Sequence, residues 1–110
     1  MLRTADLSSA ERLLVWRRRE GLTQRQAARR LSVSQYRLRA WELGAGEPPR
    51  VSLGRLLPHE SCFLLRRRSG TSLEELARQL GVTPWWLCQM EGGSAPVDRL
   101  LRHWLAIAAA

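Results

Sequence analysis

The chain has no lysine, so all eighteen of its basic residues are arginine. Ten Asp and Glu oppose them, leaving a net charge of +8 and a pI near 11.5 over 110 residues. Such a surplus fits a phosphate-rich partner or merely a basic surface, and it needs a motif beside it to decide. Cysteine is scarce too. Cys62 and Cys88 form no CxxC pair and have no nearby His at ligand spacing, which points to reduced structural thiols rather than a disulfide or a metal site. No segment approaches the roughly 20 apolar residues of a membrane span, and MLRTADLSSAER lacks the apolar run of a secretory signal, so a cytoplasmic protein with no membrane partner is expected. His59 and His103 are isolated, no paired carboxylates or nucleophile–base arrangement recurs, and there is no Gly-rich phosphate loop. An enzyme is therefore not expected, nor a cofactor or metal. No stretch alternates with period two, which excludes a sheet.

What is present is a repeat. Shifted by 49 residues without a gap, RRREGLTQRQAARRLSVSQYRLRAWELG (17–44) falls on RRRSGTSLEELARQLGVTPWWLCQMEGG (66–93). Identical pairs run along the whole overlap, among them Arg17 and Arg66, Gly21 and Gly70, Ala28 and Ala77, Leu31 and Leu80, Val33 and Val82, Leu38 and Leu87, Glu42 and Glu91. Each copy is a supersecondary unit with an apolar face to bury.

Local signals place the helices. Ser8 with Glu11 is a capping box that opens a first helix to about Glu20, where Gly21 ends it. Thr23 with Gln26 opens a second through about Ser32. Ser34 caps a third and Gly44 closes it. In the second copy Ser72 with Glu75 is again a capping box, and Thr83 precedes Pro84 at a first helical position. GAGEPPR (44–50) reads as a turn, VSLGRLL (51–57) as a short connecting helix, and the stretch from Val97 onward as a terminal helix. The shared apolar positions, Leu13, Trp16, Ala28, Leu31, Val33, Leu38 and Trp41 with Cys62, Leu65, Ala77, Leu80, Val82, Leu87 and Met90, are the expected core. The expected architecture is all-α: two tandem helix-turn-helix units, residues 1–57 and 58–110, packed as one compact helical body.

In the first copy, Arg17, Gly21, Leu22, Thr23, Gln24, Ala28, Val33, Ser34, Leu38, Glu42 and Gly44 follow a family pattern. The chain resembles the Cro and phage-repressor helix-turn-helix proteins, also called xenobiotic-response-element-like regulators. The likeness covers residues 9–57 well and 58–106 more loosely. It implies structural ion pairs between Arg17 and Glu42 and between Arg66 and Glu91. It also implies a recognition helix after Ser34 that enters the major groove of double-stranded DNA.

On that reading the exposed recognition positions are Gln35, Tyr36, Arg37, Arg39 and Ala40. Gln suits adenine, Arg suits guanine, and Ala can touch a thymine methyl. The resemblance favours Gln35 and Tyr36 for bases and shares Arg37 between base and phosphate, while the role of Arg39 stays open. Gln24 resembles the family's phosphate-clamping Gln, with Arg25, Arg29 and the helix-capping Ser34 beside phosphates. Arg50, after Pro48-Pro49, sits where some family members send an Arg into the minor groove.

The second copy departs from the pattern where reading would occur. Leu73 replaces Gln24, Glu74 and Glu75 follow it, and Pro84, Trp85 and Trp86 replace Gln35, Tyr36 and Arg37. Two adjacent Trp on one helix cannot both be core, so Trp85 and Trp86 form either a partner surface or a packing surface against the first copy. Two functional expectations result. One is a phage-derived transcriptional regulator that binds its operator as a homodimer. The other is a DNA-binding adaptor, such as an antitoxin or a packaging or polymerase-directed phage protein, whose second unit holds a protein partner.

Overall fold

A computed structural model describes residues 2–109. These residues form seven α-helices and a short 3-10 turn (Thr4–Asp6), with no β-strand among them. The helices are α1 (Ser9–Arg19), α2 (Gln24–Arg30), α3 (Gln35–Glu42), α4 (Pro58–Ser69), α5 (Leu73–Leu80), α6 (Pro84–Glu91) and α7 (Asp98–Ala109). None is long and apolar enough to cross a membrane. The chain divides into two compact units, Arg3–Arg55 and a second comprising Leu56 onward together with Leu2.

In the N-terminal unit α3 packs on both α1 and α2. Ser8 and Glu11 exchange bonds of 3.1 and 2.9 Å at the start of α1, and Thr23 and Gln26 do the same at the start of α2 (3.2 and 2.9 Å), so each box satisfies two otherwise unpaired amides. Leu13, Ala27, Ala28 and Leu38 form the buried centre, edged by Trp16, Leu22, Leu31, Val33, Trp41 and Val51. Burying a side chain such as Leu38 stabilises by roughly 1.5–3 kcal/mol. The adjacent small residues Ala27 and Ala28 let α2 sit close to its neighbour. α2 ends at Arg30, slightly earlier than its sequence suggests, because Ser32 turns the chain with a left-handed φ of 58°.

The C-terminal unit repeats the scheme, with α6 packing on α4 and α5, and adds α7 against α4. Its centre is Cys62, Leu76, Ala77, Leu80, Leu87, Met90, Leu100 and Trp104. α4 starts with Pro58, where a missing N–H costs nothing, and Glu60 accepts from the Leu57 N–H at 2.8 Å. At α5 only half of the expected capping box forms. The Ser72 hydroxyl accepts from the Glu75 N–H at 3.1 Å, without the return bond.

The connecting helix expected over 51–57 does not form. In register this stretch lies opposite the start of α7, and Val51 packs on its core as Leu100 does on the other. Gly54 takes a left-handed φ of 62°, and Arg19 donates to the carbonyls of Leu53 (2.5 Å) and Arg55 (2.7 Å), holding an irregular strap in place of a helix.

Candidate nucleic-acid interface

α3 is oriented by what it buries. Ser34 is extended, and its hydroxyl accepts from the Arg37 N–H at 3.1 Å, fixing the first turn. Leu38 has no exposure and anchors the helix inward. At about 100° per residue, this directs Tyr36, Arg37 and Arg39 to solvent, with Tyr36 85% exposed, while Gln35 is exposed as the first residue of the helix. Ala40 is only half-buried, and the Arg37 guanidinium lies over the Trp41 ring at 5.9 Å. Beside this face a groove of about 520 Å³ runs past Ser34, Tyr36, Ala40, Trp41 and Gly46 to Glu47.

The far end of α3 is held by a buried carboxylate. Glu42 receives Arg17 in two bonds, Nε to Oε2 at 2.5 Å and Nη2 to Oε1 at 3.2 Å. Arg17 also donates to the Leu22 carbonyl at 3.1 Å. The planar guanidinium thereby ties α1, the α1–α2 turn and the end of α3 together with fixed geometry. Gln24 joins this network, its Nε2 donating to Glu42 Oε1 at 3.0 Å. The side chain that the family likeness sends to a phosphate thus spends one N–H internally. A buried carboxylate demands donors, and Gln24 is within reach.

Arg25 and Arg29 project from α2 into solvent; Arg30, on the same helix, pairs with Glu20 at 3.6 Å. Arg50 is exposed and lines a cleft of about 250 Å³ with Ser9, Arg12, Pro48, Pro49 and Val51. The sequence leaves Arg30 and Arg12 unassigned and places Trp41 in the core, whereas Trp41 also lines the groove beside α3. The cluster of basic residues on α2 was a readable signal for Arg30, but the Trp41 and Arg12 surroundings depend on the return of the 44–51 segment, which no local pattern encodes.

The second unit keeps the ion pair and changes the outer face. Arg66 Nε meets Glu91 Oε2 at 2.8 Å, and Arg66 Nη1 donates to the Thr71 carbonyl at 3.2 Å, as Arg17 does to Leu22. Leu73 supplies no donor where Gln24 does. Thr83 caps α6 by accepting from the Trp86 N–H at 3.0 Å. Both tryptophans are outward, Trp85 66% and Trp86 41% exposed, with ring centroids 6.1 Å apart and tilted by 37°. Glu74 and Glu75 stand exposed in the first turn of α5.

The thiols separate by environment. Cys62 is buried, and that burial, reinforced by the Glu91 carboxylate, pushes its pKa up to about 12. Cys88, expected to be structural as well, is instead exposed on α6 because its position in the repeat is that of outward Arg39. Among the described residues no group of three or more His, Cys, Asp or Glu gathers as metal ligands do. Compared with protein-family models, with curated proteins and with solved structures, the chain matches none.

Proposed function

We propose that the N-terminal unit is a sequence-specific reader of double-stranded DNA, and that the protein is a transcriptional regulator of the Cro and phage-repressor type. The observation that carries this reading is the exposed face of α2 and α3. It holds Arg25, Arg29, Arg30, Arg37 and Arg39 with Gln35 and Tyr36, and the acid of these helices, Glu42, is buried beneath it. Such a face combines a charge that attracts phosphates with planar amide and guanidinium groups able to discriminate base edges. In this reading α3 enters the major groove by its N-terminal end, Gln35 and Tyr36 contact bases, Arg25 and Arg29 flank them on phosphates, and Arg50 serves the neighbouring minor groove. A homodimer would read half-sites about 34 Å apart.

Fluorescence anisotropy on a labelled duplex tests it. Affinity should fall with added salt, at a log–log slope of roughly −0.9 per neutralised phosphate. Arg25→Ala should weaken all sequences alike and flatten the slope by about one contact, whereas Gln35→Ala should relax sequence preference. Equal effects of both changes on every sequence would refute the assignment.

A second reading, an adaptor with a protein partner on the C-terminal unit, is favoured by one specific feature. Trp85 and Trp86 are exposed at the positions where the first copy carries its recognition side chains.

A further inference from the structure

The two repeats present equivalent faces of opposite character. On α2 and α3 the exposed charged residues are five arginines, and on α5 and α6 they are Glu74, Glu75 and Arg78. In register, Glu74 replaces Arg25, Glu75 replaces Gln26, Trp85 replaces Tyr36, Trp86 replaces Arg37 and Cys88 replaces Arg39. A surface that exchanges most of its guanidinium groups for carboxylates and indoles, keeping only Arg78, is a poorer match for phosphate. It receives arginine well, through charge-assisted bonds to Glu and through the negative faces of Trp rings.

We propose that the α5–α6 face, built on Glu74, Glu75, Trp85 and Trp86, is the docking site for the α2–α3 face of a second copy of this chain. Self-association thereby occupies the DNA-reading surface. The occupant is chosen by charge complementarity: the five-arginine face carried by every copy is the complement of this acidic and aromatic one. The contact joins two different surfaces, so it either closes into a two-fold dimer in which it is made twice or continues head to tail. The aromatic pair supplies the kind of desolvated anchor on which interfaces concentrate their energy, and the glutamates supply orientation and encounter rate. The consequence for regulation rests on the DNA-reading role proposed above; the self-association itself does not. Duplex DNA and a second copy compete for one face, so the DNA-free protein is stored in a masked form and an operator releases it.

Analytical ultracentrifugation of the full chain at low ionic strength tests the docking. The wild-type chain should sediment as a dimer or larger, in a concentration-dependent way, and added salt should dissociate it. Glu74→Arg with Glu75→Arg should weaken association at least about tenfold, as should Trp85→Ala with Trp86→Ala. Glu74→Gln with Glu75→Gln, which preserves shape and removes only charge, should move it in the same direction with an unchanged circular dichroism spectrum. Mixing the Glu74→Arg/Glu75→Arg chain with an Arg25→Glu/Arg29→Glu chain should restore association, because the reversed charges face each other again. A duplex carrying one half-site should convert the wild-type assembly to one chain per duplex.

A chain that is monomeric at every concentration, or that associates equally in all these variants, overturns the docking proposal. Association that resists duplex overturns the competition. Duplex binding by the Glu74→Arg/Glu75→Arg chain is measured separately and judges the DNA-reading role by itself. Self-association without any duplex binding would keep the docking and remove that role, and the reverse result would do the opposite.

Discussion

Laid over one another at an offset of 49 residues, the two units hold the same arginine–glutamate clasp and expose unlike surfaces. Arg17 with Glu42 and Arg66 with Glu91 are both less than a fifth exposed, and each arginine also caps the carbonyl five residues further on. Above these clasps one unit shows Gln35, Tyr36, Arg37 and Arg39, and the other Pro84, Trp85, Trp86 and Cys88. The lesson is physical. A buried charge pair constrains both partners together, since removing either strands the other, whereas an outward side chain is constrained only by what it must touch. The scaffold is thus the same under two largely different surfaces, which share the exposed Arg29 and Arg78.

The comparison can be broken most severely in the cores. Leu38→Ala and Leu87→Ala remove equivalent side chains with no exposure, and each should cost about 2–5 kcal/mol in chemical denaturation. Markedly unequal losses would show that the two cores are not the same construction.

Next come the clasps, where the units differ in a way that can be sharpened. Arg17→Ala leaves Glu42 with the Gln24 amide as a donor, a bond that Leu73, the equivalent residue of the second unit, cannot make. Loss of a buried partner costs on the order of 3–5 kcal/mol, and the surviving Gln24 bond should hold Arg17→Ala to the lower end. Introducing Gln24→Leu into the Arg17→Ala chain should remove that support and deepen the loss.

Smaller effects reside in the turns. Ser32 adopts the left-handed conformation (φ 58°) that Gly81 adopts in the other copy (φ 69°). A residue with a Cβ pays roughly 1–2 kcal/mol there, so Ser32→Gly should raise the stability of its unit and Gly81→Ser should lower that of the other, as read by thermal melting. Gly44 and Gly93 are also equivalent and left-handed, yet a Cβ at Gly93 would meet the His59 ring at 2.9–3.1 Å and one at Gly44 would meet nothing within 4 Å. Gly93→Ala should therefore destabilise more than Gly44→Ala.

The thiols give a chemical readout. Iodoacetamide should modify exposed Cys88 in the native protein and buried Cys62 only on unfolding. The Cys62 pKa of about 12 in the folded chain exceeds its ordinary 9.0. The folded state therefore retains a proton that the unfolded chain loses first, and this contribution to stability is whole below pH 9 and declines as pH rises from 9 towards 12. Cys62→Ala should flatten that alkaline decline.

Most of the helical framework was legible because its signals are local. Ser8, Thr23, Ser34, Ser72 and Thr83 cap helices by bonding amides three residues away, and the 49-residue register carried the core positions of one copy to the other. The strap at 51–57 was misread because its conformation is set by Arg19, more than thirty residues upstream. For the same reason Gln24 was assigned only outward: its bond to Glu42 spans eighteen residues and follows from packing, which periodicity does not express. On α3 the exposure of Tyr36, Arg37 and Arg39 was readable from the burial of Leu38, and that of Gln35 from its place at the helix start after Ser34. The half-burial of Ala40 was not, since it lies where the chain returns and the Ala45 N–H bonds the Ala40 carbonyl at 2.9 Å.

The most direct test is a selection of bound fragments from random double-stranded DNA, run in parallel with the wild-type chain, a Gln35→Ala/Tyr36→Ala chain and a Trp85→Ala/Trp86→Ala chain. The account predicts one enriched motif for the wild type, its degradation when Gln35 and Tyr36 are truncated, and its retention when the tryptophans are. No enriched motif, or a motif lost only with Trp85 and Trp86, would contradict it.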